Sequence, residues 1–368
     1  MAKSRLHELA KRGQAVWFDT LSRDLVHSGE LKKMMDADAV TGVTSNPTIF
    51  QKALSTGDAY DEDLKKLLAE TDDPTEIFFS LALQDIRDAA DVLKSAYDSS
   101  KGVDGYVSME VEPGIAYDTE KTFEQARWIA KEVDRPNLMV KIPATMPGLP
   151  AIEDCTAKGT SINITLIFSL ERYKAVVEAY LRGLERLVAS GGDPSKVASV
   201  ASFFVSRVDS EADKRLDAVG HPELKGKLAI ANAKLAYEHY LEAFSSDRWA
   251  YLEGKGATKQ RCLWASTSTK NPEYRDVMYV EELIGPETVN TMPLETIQAF
   301  QDHGKVSGDT VLDGVKKARK LLEKLAEAGV DYDDVTDTLE AEGVQKFSDS
   351  FDQIVESIRE KRSALAAA

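Results

Sequence analysis

Eight short segments rich in Val, Ile, Leu, Phe and Trp recur along the chain and constrain its fold more than any other feature. They span residues 15–19, 40–44, 105–111, 138–142, 161–168, 197–205, 261–265 and 288–292. Runs this short and this apolar are typical of strands that are buried on both faces. Because nearly all of them are separated by stretches with helical patterning, the sequence predicts parallel βαβ units.

Helical patterning fills most of the intervals between these segments. Helices are predicted over residues 4–12, 23–35 and 119–133, and over most of 207–246 and 295–362. Asp73 followed by Pro74 is typical of a helix start. Ser169 is the expected cap of another helix, which Gly191 ends. Between the fourth and fifth strands we expect only a short connection.

Eight βα units within about 300 residues predict a closed (β/α)8 TIM barrel. The alternative is an open doubly wound sheet, but the sequence lacks the Gly-rich phosphate-binding turn that is typical of that fold. We expect a single domain, with an N-terminal helix over residues 1–14, the barrel over 15–300 and a C-terminal helical extension over 301–368.

The charge and cysteine content exclude several classes of protein. The chain has 46 Lys and Arg against 62 Asp and Glu, a net charge of −16, which argues against nucleic acid and anionic membranes as partners. Cys155 and Cys262 form neither a CxxC pair nor a disulfide framework, and no apolar run reaches the roughly 18 residues of a membrane span. The five histidines lack metal-ligand spacing. We therefore expect a cytoplasmic protein without a metal or cofactor.

One lysine lies inside an apolar run. Residues 137–143 read Asn-Leu-Met-Val-Lys-Ile-Pro, and the lysine is Lys141. Taking an ammonium group out of water costs several kcal/mol, so the group finds a partner or loses its proton. Lys141 is therefore either a strand-end lysine whose head reaches water or a lysine that forms a Schiff base with a carbonyl.

Other polar residues lie at the carboxyl ends of the predicted strands, where barrel enzymes carry their chemistry. In strand order they are Asp19, Asn46, Glu110, Lys141, Asn163 with Thr165, Ser202 with Arg207, and Ser266. Together they provide one lysine, two carboxylates, amides and hydroxyls. This set suits imine chemistry on a polyhydroxylated substrate.

Each of these residues also has an ordinary structural explanation. Asp19 could cap the next helix, and Asn46 before a proline is common in turns. Asn163 and Thr165 could bond to each other as buried polar groups, and Arg207 could be a surface charge. These separate explanations would seldom place all of these residues at the same rim of one barrel, whereas a shared site would.

The residues predict a specific mechanism. Neutral Lys141 attacks a ketose carbonyl, and the resulting iminium acts as an electron sink. Asp19 is the candidate base for carbon–carbon cleavage, and Glu110 is the candidate proton shuttle, through a water, in imine formation and hydrolysis. Asn46 and Asn163 would hold substrate hydroxyls. Arg207 and Ser266 would bind a phosphate group.

These residues occur in motifs that resemble the transaldolases, the class I Schiff-base enzymes of the pentose phosphate pathway. The motifs are Trp17-Phe18-Asp19, Thr44-Ser45-Asn46-Pro47, Glu110 in Val-Ser-Met-Glu-Val, Val140-Lys141-Ile142-Pro143, Asn163 to Ser169, Ser202 to Arg207, and Leu263-Trp264-Ala265-Ser266-Thr267. Their order and strand placement agree with the family over about residues 15–295. The strand-seven sequence and the long tail resemble the longer bacterial subgroup.

The resemblance implies a (β/α)8 barrel with the imine lysine on strand four. It implies transfer of a dihydroxyacetone unit from sedoheptulose 7-phosphate to glyceraldehyde 3-phosphate, giving erythrose 4-phosphate and fructose 6-phosphate. The resemblance also implies that Thr165 is a catalytic residue and that Ser202 binds the substrate. Sugar phosphates are the expected partners, no cofactor is expected, and a homodimer is one possible assembly.

One position departs from the family pattern. Many transaldolases carry an arginine two residues after the strand-seven serine, whereas this chain has Ser268, and Lys270 could supply the charge instead. Two alternatives to transaldolase remain open. One is a related aldolase that releases free dihydroxyacetone, although such enzymes tend to carry Gln where this chain has Glu110. The other is a non-catalytic barrel that binds sugar phosphates.

Overall fold

The fold is a closed barrel of parallel strands surrounded by helices. The computed structural model describes residues 4–55 and 58–366. The strands are β1 (Gln14–Phe18), β2 (Val40–Thr44), β3 (Val107–Glu110), β4 (Leu138–Pro143), β5 (Ile162–Ile167), β6 (Ser199–Phe204), β7 (Arg261–Ala265) and β8 (Thr288–Met292). They pair in chain order, and β8 pairs with β1 to close the barrel. The predicted (β/α)8 barrel is confirmed, and the open doubly wound sheet is wrong.

Helices connect the strands and extend the chain beyond the barrel. They are α1 (Leu6–Lys11), α2 (Arg23–His27), α3 (Glu30–Asp38), α4 (Pro47–Ser55), α5 (Asp61–Glu70), α6 (Pro74–Ser99), α7 (Thr119–Val133), α8 (Gly148–Ala157), α9 (Leu170–Ala189), α10 (Ser206–Val219), α11 (Leu228–Ala243), α12 (Asp247–Glu253), α13 (Met278–Glu282), α14 (Leu294–His303), α15 (Val315–Glu327) and α16 (Tyr332–Ala366). Within the described residues, none has the length and apolar character needed to cross a membrane.

The helix starts predicted from capping residues are confirmed. The Asp73 carboxylate accepts a hydrogen bond of 2.9 Å from the backbone N–H of Thr75 at the start of α6. Ser169 accepts one of 3.0 Å from the N–H of Arg172 at the start of α9. Each cap satisfies a backbone donor that lacks a partner within its helix, which sets where the helix begins.

Two predicted connections differ from the structure. The helix expected over residues 23–35 is two helices, α2 and α3, because Gly29 between them has φ of +80° and breaks the helical path. The short connection expected between β4 and β5 contains α8. Pro150 lies in the first turn of α8, where its missing N–H costs no helical hydrogen bond, so the proline is compatible with a helix there.

The barrel interior has an apolar floor and a polar mouth. Side chains alternate along each strand between the interior and the helix layer. The floor is a cluster of interior side chains that includes Trp17, Tyr106, Met139, Val200, Leu263 and Val289. The residue two positions further along five of these strands is polar: Asp19, Ser108, Lys141, Ser202 and Thr291. The same alternation therefore places the polar residues together at the carboxyl ends.

Helix α16 packs against the carboxyl-end face of the barrel. The hydroxyls of Thr48 in α4 and Ser350 in α16 lie 2.8 Å apart. The ring of Phe351 packs edge-on against Phe78 of α6, with centroids 5.3 Å apart. A methyl group added at Gly343 would lie 2.9 Å from Cδ2 of Leu166, which follows Thr165 on β5. The C-terminal extension thus touches three elements around the mouth.

Candidate active site

A cavity of about 600 Å³ opens at the carboxyl ends of the strands. Nine of the ten predicted site residues line it: Asp19, Asn46, Lys141, Asn163, Thr165, Ser202, Arg207, Ser266 and Lys270. The tenth, Glu110, contacts Lys141 from the neighbouring strand. All ten residues that were predicted as site residues from the sequence therefore lie together in the structure.

Lys141 is buried and paired. Strand register places it beside Glu110 on β3 and Asn163 on β5. Its Nζ donates a hydrogen bond of 2.6 Å to the backbone oxygen of Ser45 and lies 3.0 Å from Oε2 of Glu110. Only 8% of the lysine side chain is exposed, and the residue lines the cavity. The barrel interior tolerates a lysine here because its Nζ contacts both the Glu110 carboxylate and the Ser45 backbone oxygen.

Glu110 connects Lys141 to Thr165. The Thr165 hydroxyl donates a hydrogen bond of 2.8 Å to Oε1 of Glu110, while Oε2 faces the lysine. Glu110 also borders a cavity of about 10 Å³ with Val344 and Phe347 of α16. That volume is about the smallest that can hold one water molecule. The carboxylate is thus oriented by a hydroxyl and shielded by an apolar helix face.

The remaining polar residues of the mouth are held by specific partners. Thr44 donates a hydrogen bond of 2.8 Å to Oδ1 of Asp19, which orients that carboxylate. Helix α2 is capped by Ser22, so the suggested capping role of Asp19 is wrong. Asn46 does have a structural role, because its Oδ1 accepts a hydrogen bond of 2.9 Å from the N–H of Ile49 and thereby caps α4.

Asn163 and Thr165 do not bond to each other, contrary to the structural alternative. The amide nitrogen of Asn163 donates to the Ser108 hydroxyl at 3.1 Å, and its oxygen accepts from Ser202 at 2.6 Å. Thr165 donates to Glu110 instead. The polar groups of β3, β5 and β6 therefore form a network across the barrel mouth.

Cations also line the cavity, among them Arg207 and Lys270. Burial lowers the pKa of Arg207, and the charges of Asp19 and Glu342 oppose that effect. Burial and the nearby Arg207 also lower the pKa of Lys270, whose Nζ donates a hydrogen bond of 2.7 Å to Ser268. A partly buried group of like charges is costly, which favours an anionic ligand at this end of the cavity.

Ser266 lies at the end of β7 in an unusual backbone conformation. Its φ is +57°, in the left-handed region that non-glycine residues rarely adopt. Its hydroxyl lies 2.9 Å from that of Ser206, and its backbone oxygen accepts a hydrogen bond of 3.0 Å from the Ser206 N–H. These contacts hold the strained turn, and such strain is often found at functional sites.

Two cations of the cavity were missed at the sequence level. Lys52 of α4 and Lys346 of α16 both line it. Lys52 lies six residues after Asn46, on the helix that follows β2. This closeness to a predicted site residue is the sequence signal that could have identified it. Lys346 has no local signal, because its contact with the mouth depends on how α16 packs. Within residues 4–55 and 58–366, no three His, Cys, Asp or Glu side chains come together as a metal site.

A (β/α)8 barrel with a buried lysine paired to a carboxylate at its strand ends has the architecture of a barrel enzyme, and these strand ends are its candidate active site. The sequence model of the family described as Transaldolase/Fructose-6-phosphate aldolase matches residues 16–358. The chain therefore belongs to this family, and its relatives place it among the transaldolases.

Those relatives share about half of their residues with this chain. A protein named Transaldolase from Parafrankia sp. (strain EAN1pec) is 52% identical, over 98% of this chain and 99% of that one. Transaldolase of Frankia alni is 52% identical over 97% of each chain. Transaldolase 2 of Streptomyces avermitilis is 50% identical over 98% of each.

Proposed function

We propose that this chain transfers a dihydroxyacetone unit from sedoheptulose 7-phosphate to glyceraldehyde 3-phosphate through a Schiff base on Lys141. The products are erythrose 4-phosphate and fructose 6-phosphate, which places the reaction in the pentose phosphate pathway of the cytoplasm. The observation that carries the proposal is the 3.0 Å contact between Nζ of Lys141 and the Glu110 carboxylate at the cavity. It gives a nucleophile and a proton acceptor in one place.

Imine formation begins with a proton transfer. The lysine ammonium cannot attack a carbonyl, and Glu110 is the carboxylate in contact with it. Once Glu110 has taken the proton, the neutral amine adds to C2 of the ketose to give a carbinolamine. Glu110 then returns the proton, through a water, to the departing C2 hydroxyl, and the iminium forms. The Thr165 hydrogen bond holds the carboxylate in position for both steps.

Cleavage then uses the second carboxylate. Asp19 takes the proton from the C4 hydroxyl, the C3–C4 bond breaks, and its electron pair moves to the iminium to form an enamine. The aldose phosphate leaves as an aldehyde. In the second half-reaction the enamine carbon attacks the acceptor aldehyde, Asp19 returns the proton to the new hydroxyl, and water hydrolyses the imine. The iminium is the electron sink, so the sequence of steps needs no cofactor.

The other cavity residues hold the substrate. Asn46, Asn163 and Ser202 provide amide and hydroxyl groups for the sugar hydroxyls. At the cationic end, Arg207, Ser266 and Lys270 are placed to bind the phosphate group. This division of the cavity into a hydroxyl-binding part and a cationic part supports a phosphorylated ketose as the donor.

Borohydride reduction in the presence of fructose 6-phosphate, followed by peptide mass analysis, tests the imine. We expect a stable adduct on the peptide that contains Lys141. An adduct on another lysine, or none, overturns the mechanism. A second assay, with and without an acceptor aldose, tests transfer. Free dihydroxyacetone released at the same rate without acceptor would assign the chain to the aldolases.

A further inference from the structure

Helix α16 carries a lysine into the cavity of the proposed active site. Lys346 lines the same cavity as Lys141, Arg207 and Lys270, although it lies far beyond the last strand in the sequence. No role for this lysine follows from the strand-end motifs. Its position therefore raises the question of what the C-terminal extension contributes to the site.

Packing on both sides of Lys346 fixes that part of α16. Val344 and Phe347 are buried next to Glu110, and Phe351 packs on Phe78. Earlier in α16, Glu340 forms an ion pair of 2.7 Å with Arg172 of α9. With the backbone held at these points, α16 places the exposed Lys346 side chain in the lining of the cavity.

The cations around this part of the cavity come from four separate elements. Lys52 lies on α4, Arg207 on α10, Lys270 after β7 and Lys346 on α16. Arg207 lowers the pKa of Lys346 most, followed by burial and then by Lys270 and Lys52, with no carboxylate among the causes. These neighbouring cations repel one another, which favours an anionic ligand among them.

Carboxylates also face the cavity, but they are directed at other cations. Asp19, Asp24 and Glu295 line it. The charges of Asp19 and Glu295 act on Lys270, and those of Asp19 and Glu342 act on Arg207. Unlike Arg207 and Lys270, Lys346 therefore has no carboxylate among the charges that shift its pKa.

We propose that Lys346 binds the phosphate group of the sugar substrates, so that the C-terminal extension is part of the active site. This inference rests on the proposed function. Lys346 adds a cation from α16 to Arg207 and Lys270, which line the same cavity. A lysine suits this geometry because its compact charge on a flexible stem can reach a phosphate from a distant helix.

Steady-state kinetics with two substrate pairs test the proposal. One pair is fructose 6-phosphate with erythrose 4-phosphate, and the other is fructose with glyceraldehyde, which lack phosphate. For Lys346→Met we expect KM for fructose 6-phosphate to rise about 10-fold, as for the loss of one charge-assisted hydrogen bond, with kcat nearly unchanged. The kcat/KM of the unphosphorylated pair should not change. Lys346→Arg, which keeps the charge, should restore most of the affinity.

Arg359→Met is the matched control, because it removes a cation from an exposed position of the same helix. The proposal is overturned if Lys346→Met leaves KM for fructose 6-phosphate within twofold of wild type, or weakens both substrate pairs equally. Calorimetric titration with inorganic phosphate separates this proposal from the proposed function. If wild type forms no Lys141 adduct but Lys346→Met still weakens phosphate binding, only the proposed function fails.

Discussion

Nζ of Lys141 lies 3.0 Å from Oε2 of Glu110, and the strand register places the two residues directly side by side on β4 and β3. Both side chains are more than nine-tenths buried. The pair therefore meets two requirements together. It compensates a charge that the barrel interior would otherwise not tolerate, and it places a carboxylate next to the lysine that we propose as the nucleophile.

Lys141→Ala should abolish turnover and also destabilise the protein, because it leaves the Glu110 carboxylate buried without its cation. Breaking a buried pair in this way costs about 3–5 kcal/mol of the free energy of unfolding at neutral pH. The double variant Lys141→Met with Glu110→Gln should recover much of that loss while remaining inactive. Urea unfolding of the three proteins measures it. Equal unfolding free energies for wild type and Lys141→Ala would contradict the prediction.

Glu110→Gln should lower kcat by at least about 100-fold, the usual size of a lost general acid–base contribution. The glutamine can still accept the Thr165 hydrogen bond, so the fold should be retained. Borohydride trapping at Lys141 should become slow, because imine formation is the affected step. Glu112→Gln, two residues further along the same segment, serves as the control. Normal trapping kinetics in Glu110→Gln would exclude Glu110 as the proton shuttle.

Most of the barrel and the proposed catalytic residues could be predicted because both depend on local patterns. Short apolar runs marked every strand, and parallel strands in a barrel carry their functional residues at one end. The alternation of side chains then explains why Trp17 packs in the floor and Asp19, two residues later, lies at the mouth. The helical patterning between the strands indicated that they pair in parallel.

Features that depend on non-local packing could not be predicted in this way. Helix α8 was missed because Gly148 and Pro150 usually indicate a turn, whereas the first turn of a helix tolerates both. The cap that Asn46 provides to α4 was not predicted, because Asn46 was interpreted as a turn residue or a substrate-binding residue. Lys346 could not be found at all, because no pattern in α16 indicates which of its faces meets the barrel.

Asp19→Asn should separate cleavage from imine formation. The asparagine oxygen can still accept the Thr44 hydrogen bond, so the side chain keeps its place. Turnover should fall by at least about 100-fold because the base is lost. The borohydride adduct on Lys141 should still form with fructose 6-phosphate. Asp24→Asn is the control, since Asp24 lines the same cavity. Loss of the adduct in proportion to turnover would show that Asp19 acts in imine formation.

Asp209 predicts a pH dependence of stability. Burial raises the pKa of this α10 carboxyl to about 7, despite hydrogen bonds of 2.8 Å from the Ala229 N–H and the Tyr279 hydroxyl. The charge of Asp213 raises the pKa further, and the Tyr274 hydroxyl bonds to Asp213. Between an ordinary aspartate pKa near 3.8 and about pH 7, the folded protein therefore holds a proton that the unfolded chain releases.

The contribution of Asp209 to stability is thus fully present below its unfolded pKa and is lost as the pH rises through about 7. The difference in free energy of unfolding between wild type and Asp209→Asn should fall with rising pH, by about 1.4 kcal/mol per pH unit at most, and then become constant. Denaturant unfolding at several pH values measures this difference. Asp352→Asn, at an exposed position of α16, should show no such trend. A constant difference for Asp209→Asn would contradict the prediction.

Gly343→Val tests whether the position of α16 matters to the active site. The added Cβ would lie 2.9 Å from Cδ2 of Leu166, and because Leu166 is fully buried this methyl group has little space into which it can move. We expect α16 to shift outward, with a loss of about 1–3 kcal/mol as for other overpacked sites. KM for fructose 6-phosphate should rise, and limited proteolysis should cut α16 faster.

The matched control for this variant is Gln345→Val, which puts the same β-branched residue at an exposed position two residues along the same helix. By intrinsic helix propensity Gly343→Val is slightly favourable and Gln345→Val slightly unfavourable, so a larger loss in Gly343→Val reports the contact with Leu166. If Gly343→Val raises KM and Gln345→Val does not, the packing of α16 on β5 affects phosphate binding from outside the phosphate site. If the two variants behave alike, the extension acts only as a cover, and the placement of Lys346 does not depend on this contact.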